Sequence, residues 1–363
     1  MTRTAVARAE ERADFLEGTE WARAEATPLA GDASTRSYER LRLGARAALL
    51  MNAPPAAETA ACPPEASPQQ RRALGYNAMA RLAGPNLNAF TAIAAALRRG
   101  GLAAPDIYAA DAARGFAIIE DFGDDLFARA IESGADAQTL YTAAVDVLLR
   151  MRETAPRVEA FRHYAMLTYD RTAFEAEIGL VPDWYWPFRK GSAPGADARA
   201  DYFAAWDSAL SCVSAPAAMV LRDFHAENLL WMPHKSGVAR VGLIDFQDGL
   251  VGNAAYDLVS LLEDARRDVD EGLAERMIAR YCHGARGDGP FDEEAFRRDY
   301  AVLAAQRNAK ILGIFARLVK RDNKPKYEGL LPRVEGYFRR DLQRPELVDV
   351  RRFFRSAFPE LGL

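Results

Sequence analysis

Asp223 and Asn228 stand five residues apart in "LRDFHAENLLW" (221–231), with His225 and Glu227 between them, and Asp245 follows in "VGLIDFQDG". An Asp and an Asn at that spacing are ordinary turn residues when taken alone. Their flanks change the reading. The apolar runs "AAMVL" and "LLWM" predict two short buried strands with the polar residues on the tight loop between them. The polar turn "MPHKSG" then returns the chain as another apolar strand that ends at Asp245. Two carboxylates and an amide converge at one sheet edge. Mg²⁺ takes hard oxygen donors and keeps several waters, so one or two protein carboxylates beside substrate phosphates suffice. Asp245 and Asn228 suit that role, and Asp223 is left to orient or deprotonate an attacking hydroxyl. Phosphoryl transfer asks for positioning and charge neutralisation more than covalent chemistry, and this trio supplies both.

The elements that position the trio follow from periodicity and punctuation. Residues 3–17 read as an amphipathic helix closed at Gly18, and "ARAEATPLAG", "RSYERLRL" and "ARAALLM" as three short strands. The Pro- and Ala-rich "NAPPAAETAACPPEASPQQ" reads as an exposed loop. "NLNAFTAIAAALRRGG" is a helix with an Asn cap and a closing Gly pair, and "PDIYAAD" and "GFAIIEDFG" are two more strands. Beyond residue 124 the pattern is helical, over 136–153, 170–179, 196–213, 254–267, 271–284, 292–319 and 327–341. The expected fold class is therefore α+β: a small β-rich lobe, 1–122, followed by a larger α-helical lobe, 123–363, joined near "IIEDFGDDL".

Of 363 residues, 50% are hydrophobic and 27% charged, with a net charge of −4, which gives ample material for a core. The acidic balance argues against a nucleic-acid partner. Cys62, Cys212 and Cys282 are dispersed, a pattern that fits a reducing compartment better than a disulfide framework. The first residues lack the apolar core of a secretory signal, and no apolar run reaches membrane-spanning length. A cytoplasmic monomer without a membrane partner is expected.

The motifs together resemble the aminoglycoside phosphotransferase-like branch of the protein-kinase-like fold. "LRDFHAEN" with "IDFQ" is similar to its catalytic loop and metal-binding strand, "LAGDASTRSYERL" to the loop over the nucleotide, and "FAIIEDFG" to the interlobe hinge. More narrowly, "GDASTRSY", "LMNAPP", "IIEDFGD", "DWYWPF", "LRDFHAENLLW", "IDFQDGLVGNAAYDLVSLLEDARRDV" and "KILGIFARL" resemble the bacterial anomeric kinases for N-acetylmuramate and N-acetylglucosamine. The resemblance implies a two-lobed kinase that uses ATP and Mg²⁺ to phosphorylate the C1 hydroxyl of an amino sugar in cell-wall recycling. It implies Asp223 as catalytic base, Asn228 and Asp245 as Mg²⁺ ligands, Gly31, Ser34 and Thr35 in the phosphate loop, and the main chain from Glu120 to Phe122 at the adenine. Asp257, opening a helix in "YDLVSLL", would help to fix the catalytic loop. The competing expectations are a kinase for another small hydroxyl compound and a nucleotide-binding regulatory pseudokinase.

The chain departs from the kinase pattern in one respect. Met51 stands where the third strand of a protein kinase carries its phosphate-binding lysine, and the first lysine anywhere is Lys190. No Asp or Glu lies between Glu65 and Asp106, so the partner acid is missing too. Arg36 is the expected substitute, with Arg40 and Arg42 on the same strand face as competitors. Leu221 stands where such loops often carry a bracing His, and Arg222 is a substitute brace. For the sugar, Glu175, Asp183, Trp184 and Tyr185 in "YDRTAFEAEIGLVPDWYWPF" offer acids and aromatic faces, and Asp32, Arg222, His225 and Asn253 are further candidates. Glu175 and Glu177 cannot share a helix face, so at most one of them is expected to point into a site.

Overall fold

The computed structural model describes residues 3–30, 36–55, 62–154, 160–161, 164–287 and 290–363. The chain forms two compact units that interleave along the sequence: Met1–Ser133 with Glu159–Met166 and Glu227–Asp248, and Gly134–Val158 with Leu167–Ala226 and Gly249–Leu363.

The first unit is built on a five-stranded antiparallel sheet in the order β1-β2-β3-β5-β4, with β1 Glu25–Pro28, β2 Ser37–Leu43, β3 Arg46–Asn52, β4 Ile107–Asp111 and β5 Phe116–Glu120. Alternation sets its inner face. Leu41, Ala48, Leu50, Phe116 and Ile118 are buried together with Phe15 and Leu16 of helix α1 (Arg3–Glu17) and with Trp21. Gly44, at φ +61°, makes the two-residue turn that sets Leu43 opposite Arg46. Helix α2 (Pro68–Leu74) begins inside the stretch expected to be loop. Ser67 and Gln70 close a capping box on it, and Pro68 takes the first helical position, where a missing N–H costs nothing. The proline marks a start there rather than a break. The short helix α3 (Tyr76–Met79) precedes α4 (Leu87–Arg99), which Asn86 caps, and the short helix α5 (Phe127–Glu132) follows β5. Beyond them come the two-residue pair β6 (Ala160–Phe161) and β7 (Tyr164–Ala165).

The polar turn after Trp231 does return the chain antiparallel, as β9 (Leu229–Trp231) against β10 (Val241–Leu243). Single bridges tie this hairpin to the first unit, Leu230 to Leu126 and Gly242 to Ala103. Gly242 is required there, because a Cβ would stand 2.9 Å from the Phe122 ring.

The second unit is helical apart from β8 (Ala218–Val220) paired with β11 (Leu250–Gly252). Its helices are α6 (Ala137–Thr154), α7 (Arg171–Ile178), α8 (Trp186–Lys190), α9 (Ala196–Ser211), α10 (Ala255–Leu262), α11 (Glu271–Gly287), α12 (Glu293–Lys320), α13 (Leu331–Asp341) and α14 (Val348–Ala357). α12 is the central helix, buried on nearly every side from Ala301 to Ala316. Gly313 brings it against Leu180, where any side chain would collide with Leu180 Cβ at 2.4 Å. α14, which periodicity did not predict, turns Phe354 inward beside Phe358. Among the described residues, no helix is long and apolar enough to cross a membrane, and all three cysteines are free.

Candidate active site

The loop that carries Asp223 and Asn228 passes from one unit to the other between Ala226 and Glu227, so each half is described within its own unit.

In the first unit, Asp245 ends the segment after β10 with φ +57°, a conformation that an Asp tolerates better than most residues. Its carboxylate is 45% exposed. Asn228 Nδ2 lies 3.5 Å from Asp245 Oδ2, and Gln247 Nε2 donates to Asp245 Oδ1 at 2.9 Å. The Arg36 guanidinium stands 3.6 Å from Asp245 Oδ1 and donates to Gly84 O at 3.1 Å. Asp248 accepts from Ala83 N at 2.6 Å, so the turn at 83–84 is held by the Arg36 side and by the loop after Asp245.

Tyr38 and Arg40 share one face of β2, and Arg36 immediately precedes the strand. Tyr38 is paired in register with Met51, and its hydroxyl donates to Met51 Sδ at 3.5 Å. Burial, then the charge of Asp245, pushes the Tyr38 phenol up to about 12, so it stays protonated. The place of the missing lysine is therefore closed by a Tyr–Met contact, and the cation beside Asp245 comes from Arg36. Arg40 is no competitor: its guanidinium forks onto Asp121 and Asp124 at 2.6–3.2 Å. Arg42 points to solvent.

In the second unit, Asp223 follows Arg222, whose φ of +71° puts a non-glycine residue in the left-handed region. Asp257 holds this strained turn by accepting from Leu221 N at 2.6 Å and Arg222 N at 2.8 Å. Burial pushes the Asp257 carboxyl up to about 7 against those two donors. The Arg222 side chain is buried and donates to Glu177, which is also fully buried. Glu177 further accepts from Tyr169 Oη and from Gln306 Nε2 at 2.8 Å, and Lys310 Nζ lies 3.1 Å away. Asp223 keeps part of its surface open. Burial alone would raise its carboxyl, but the positive charges of Lys310, Arg222 and Arg307 outweigh burial and hold it below the usual range. Burial lowers His225 to about 4, so its ring is neutral near pH 7.

Several expected sugar contacts need correction. Tyr185 is wholly buried, its ring against Phe358 and its hydroxyl donating to Glu335 at 2.7 Å, so it has no face to offer a sugar. Arg222 is buried on Glu177 and braces the loop from within. Asn253 donates to Asp299 at 2.7 Å and caps Ala255 N, both structural tasks. His225 is also buried, with its Nδ1 unpartnered. Glu175 pairs with Arg171 at 3.0 Å beside Asp207 on the surface of α7, and Asp183 pairs with Arg199 at 2.6 Å. Trp184 stays half-buried beneath Arg321. Of the two α7 acids, it is Glu177 that turns inward, to Arg222 of the loop that carries Asp223. In the segment 120–122, Glu120 accepts from Asp106 N at 3.2 Å and Lys235 lies over the Phe122 ring at 5.1 Å. Gly31, Asp32, Ser34 and Thr35 lie outside the described residues. Lys310 escaped sequence reasoning, although it opens the "KILGIFARL" stretch. The signal that could have found it is a Lys followed directly by the apolar "ILGIFA" within a long helix, a position where burial demands an acid partner.

Residues 25–297 match the phosphotransferase enzyme family. A protein of Caulobacter vibrioides described as N-acetylmuramate/N-acetylglucosamine kinase is 42% identical over 353 residues, covering 96% of both chains. One of Pseudomonas aeruginosa with the same description is 30% identical, covering 90% of this chain and 87% of that one. Among solved structures, a microcompartment-associated aminopropanol kinase superposes with a TM-score of 0.57 at 14% identity, covering 97% of this chain and 99% of the other. An ADP-bound aminoglycoside phosphotransferase gives 0.55 at 13%, covering 91% and 96%. At those identities the structures establish fold alone, the two-lobed α+β fold of protein-kinase-like enzymes.

Proposed function

The chain belongs to the phosphotransferase enzyme family, and from that premise we propose that it is an anomeric sugar kinase transferring the γ-phosphoryl group of ATP to the C1 hydroxyl of N-acetylmuramate and N-acetylglucosamine. The proposed setting is the cytoplasm, in cell-wall recycling, with the protein acting as a monomer. The observation that carries the chemistry is the exposed Asp245 carboxylate, flanked by the Asn228 amide and the Arg36 guanidinium. The acceptor is supported by near-full-length similarity to two relatives described as kinases of those sugars.

The donor set fits Mg²⁺: one carboxylate and one amide oxygen, both hard, both accessible, with room for waters and phosphate oxygens. Bound there, the ion would neutralise charge on the transferring phosphoryl group and hold it in line. Asp245 and Asn228 would hold it, with Gln247 fixing one Asp245 oxygen and the Asn228 amide turned to present its Oδ1. Arg36 would meet triphosphate oxygens. Asp223 would accept the proton as the sugar oxygen bonds to phosphorus and the bond to the ADP oxygen breaks. An anomeric hydroxyl is more acidic than an ordinary alcohol, so an Asp223 held below the usual carboxylate range still serves, orienting first and taking the proton late. The main chain at Glu120 to Phe122 would receive adenine, and Trp184 is the sugar candidate that keeps an accessible ring. The lobe 1–122 is proposed to bind the nucleotide, and the lobe 123–363 to carry the catalytic residues and the sugar.

The test is a panel of sugars, aminoglycosides and choline with MgATP, the products read by phosphorus and proton NMR. Phosphate on C1 of the two amino sugars is expected. Phosphate on any other oxygen would overturn the acceptor assignment. Nucleotide binding with no acceptor-dependent turnover, unaffected by Asp223→Asn, would make the chain a regulatory pseudokinase.

A further inference from the structure

Glu177 sits on α7, wholly buried, and gathers Arg222, Lys310, Tyr169 and Gln306 around one carboxylate. A buried carboxylate is costly unless every lone pair is engaged, and here each is. The cations nevertheless exceed what the acid needs. Arg222 and Lys310 both pair with Glu177, so the buried cluster holds two positive charges against one carboxylate. Asp223, next in the chain to Arg222, is the partly open carboxylate beside this cluster, and the charge of Lys310 acts on it.

The backbone brings Lys310 there by design of the helix. Gln306, Lys310 and Gly313 follow one another at i, i+4 and i+7 on a single face of α12. The missing side chain at Gly313 lets that face close onto Leu180, two residues past the end of α7. The ammonium group is thereby set 3.1 Å from Glu177 Oε1 and 3.4 Å from the Tyr256 hydroxyl, with its stem buried.

We infer that Lys310, anchored by Glu177, is a positioning residue for phosphoryl transfer: the pair fixes Arg222 from inside the fold and supplies the positive charge against which Asp223 is held. Lys310 is also the leading charge that lowers the Asp223 carboxyl against its burial. A cation from a helix of the second unit thus serves the base, separately from Arg36 beside Asp245. The inference rests on the reading of Asp223 as the acceptor-facing carboxylate.

Lys310→Met removes the charge and keeps most of the stem, and Glu177 remains paired with Arg222, Tyr169 and Gln306. The full-length protein should stay folded by circular dichroism and thermal melting. Its kcat for the amino sugar should fall about 100-fold, the loss typical of a misplaced reacting group, while the KM for ATP stays within about twofold. Lys310→Arg should recover at least about tenfold of that loss. A folded Lys310→Met with kcat within about threefold of wild type would overturn the inference. So would a loss in kcat matched by an equal rise in the ATP KM. Failure of both Lys310→Met and Lys310→Gln to fold would overturn it as well, since the lysine would then be a structural bridge. Asp223→Asn run alongside separates the two claims. An inactive Asp223→Asn beside an active Lys310→Met sinks the lysine alone, whereas an active Asp223→Asn sinks the base.

Discussion

Replacing Arg36 by Ala tests how this site works without a lysine from the sheet. The guanidinium lies 3.6 Å from Asp245, with the arginine side chain 12% exposed and the aspartate 45% exposed. Two unit charges at that distance attract by about 1 kcal/mol in water and about 5 kcal/mol at an effective dielectric near 20. Half-open surroundings place the interaction between those limits, at about 2–3 kcal/mol. A bound triphosphate would draw on the same charge through a comparable contact. Arg36→Ala should therefore lower kcat/KM for ATP about 30- to 150-fold, since each factor of ten is about 1.4 kcal/mol. The sugar KM should change little. Stability should fall by about 1 kcal/mol, the worth of the hydrogen bond to Gly84 O. Arg36→Lys should restore only part of the activity, because a point charge lacks the planar fork. Steady-state kinetics with ATP and sugar varied independently, beside thermal melts of each variant, make the measurement. If the ATP KM and kcat both stay within about twofold in a folded Arg36→Ala protein, the arginine is a bystander and the reasoning fails.

Asp257→Ala strands two buried N–H groups, Leu221 and Arg222, and should cost about 2–4 kcal/mol in urea unfolding while abolishing turnover; a loss below 1 kcal/mol would show that the loop holds its strained turn unaided. His225 binds its proton more weakly folded, at about 4, than unfolded, at about 6.5. The unfolded chain is therefore the better proton acceptor between those values, and stability drains away by up to about 3 kcal/mol as pH falls through that window. Asp257 works in the opposite direction, its contribution declining as pH rises from about 4 to about 7, so the comparison of His225→Gln with wild type isolates the histidine. Equal pH slopes for the two proteins would refute its buried, neutral state. Gly313→Ala should destabilise by about 2 kcal/mol or more and lower kcat with it, since its Cβ would meet Leu180 at 2.4 Å; an unchanged melt would mean that α12 shifts freely. Tyr185→Phe should leave the sugar KM unchanged, and a large rise in that KM would restore the tyrosine to the sugar site.

Much of the local architecture was legible because it rests on short-range rules. Alternation in "RSYERLRL" and "ARAALLM" gave strands that pair in register from Leu43–Arg46 outward. The polar turn after Trp231 closed as expected. The start of α2 was misread because a proline after serine looks like a breaker when it is a first helical residue. The aromatic cluster at 184–186 looked like a sugar platform, but burial of Tyr185 against Phe358 depends on α14, whose return to that region no local pattern announces.

Residue type and spacing by themselves determined the chemistry available: Asp223, Asn228 and Asp245 at the ends of short apolar strands, and a sheet without the usual lysine. Those are properties of neighbours along the chain, where periodicity and turn chemistry act. Only the tertiary structure decided which charges stand beside which. Arg36 reaches Asp245 from more than two hundred residues away, Asp257 braces a loop thirty-five residues before it, and Lys310 meets Glu177 because a glycine lets two helices touch. Electrostatic partners are chosen by distance in space and by exclusion of water, and neither is written in the spacing of the residues that use them.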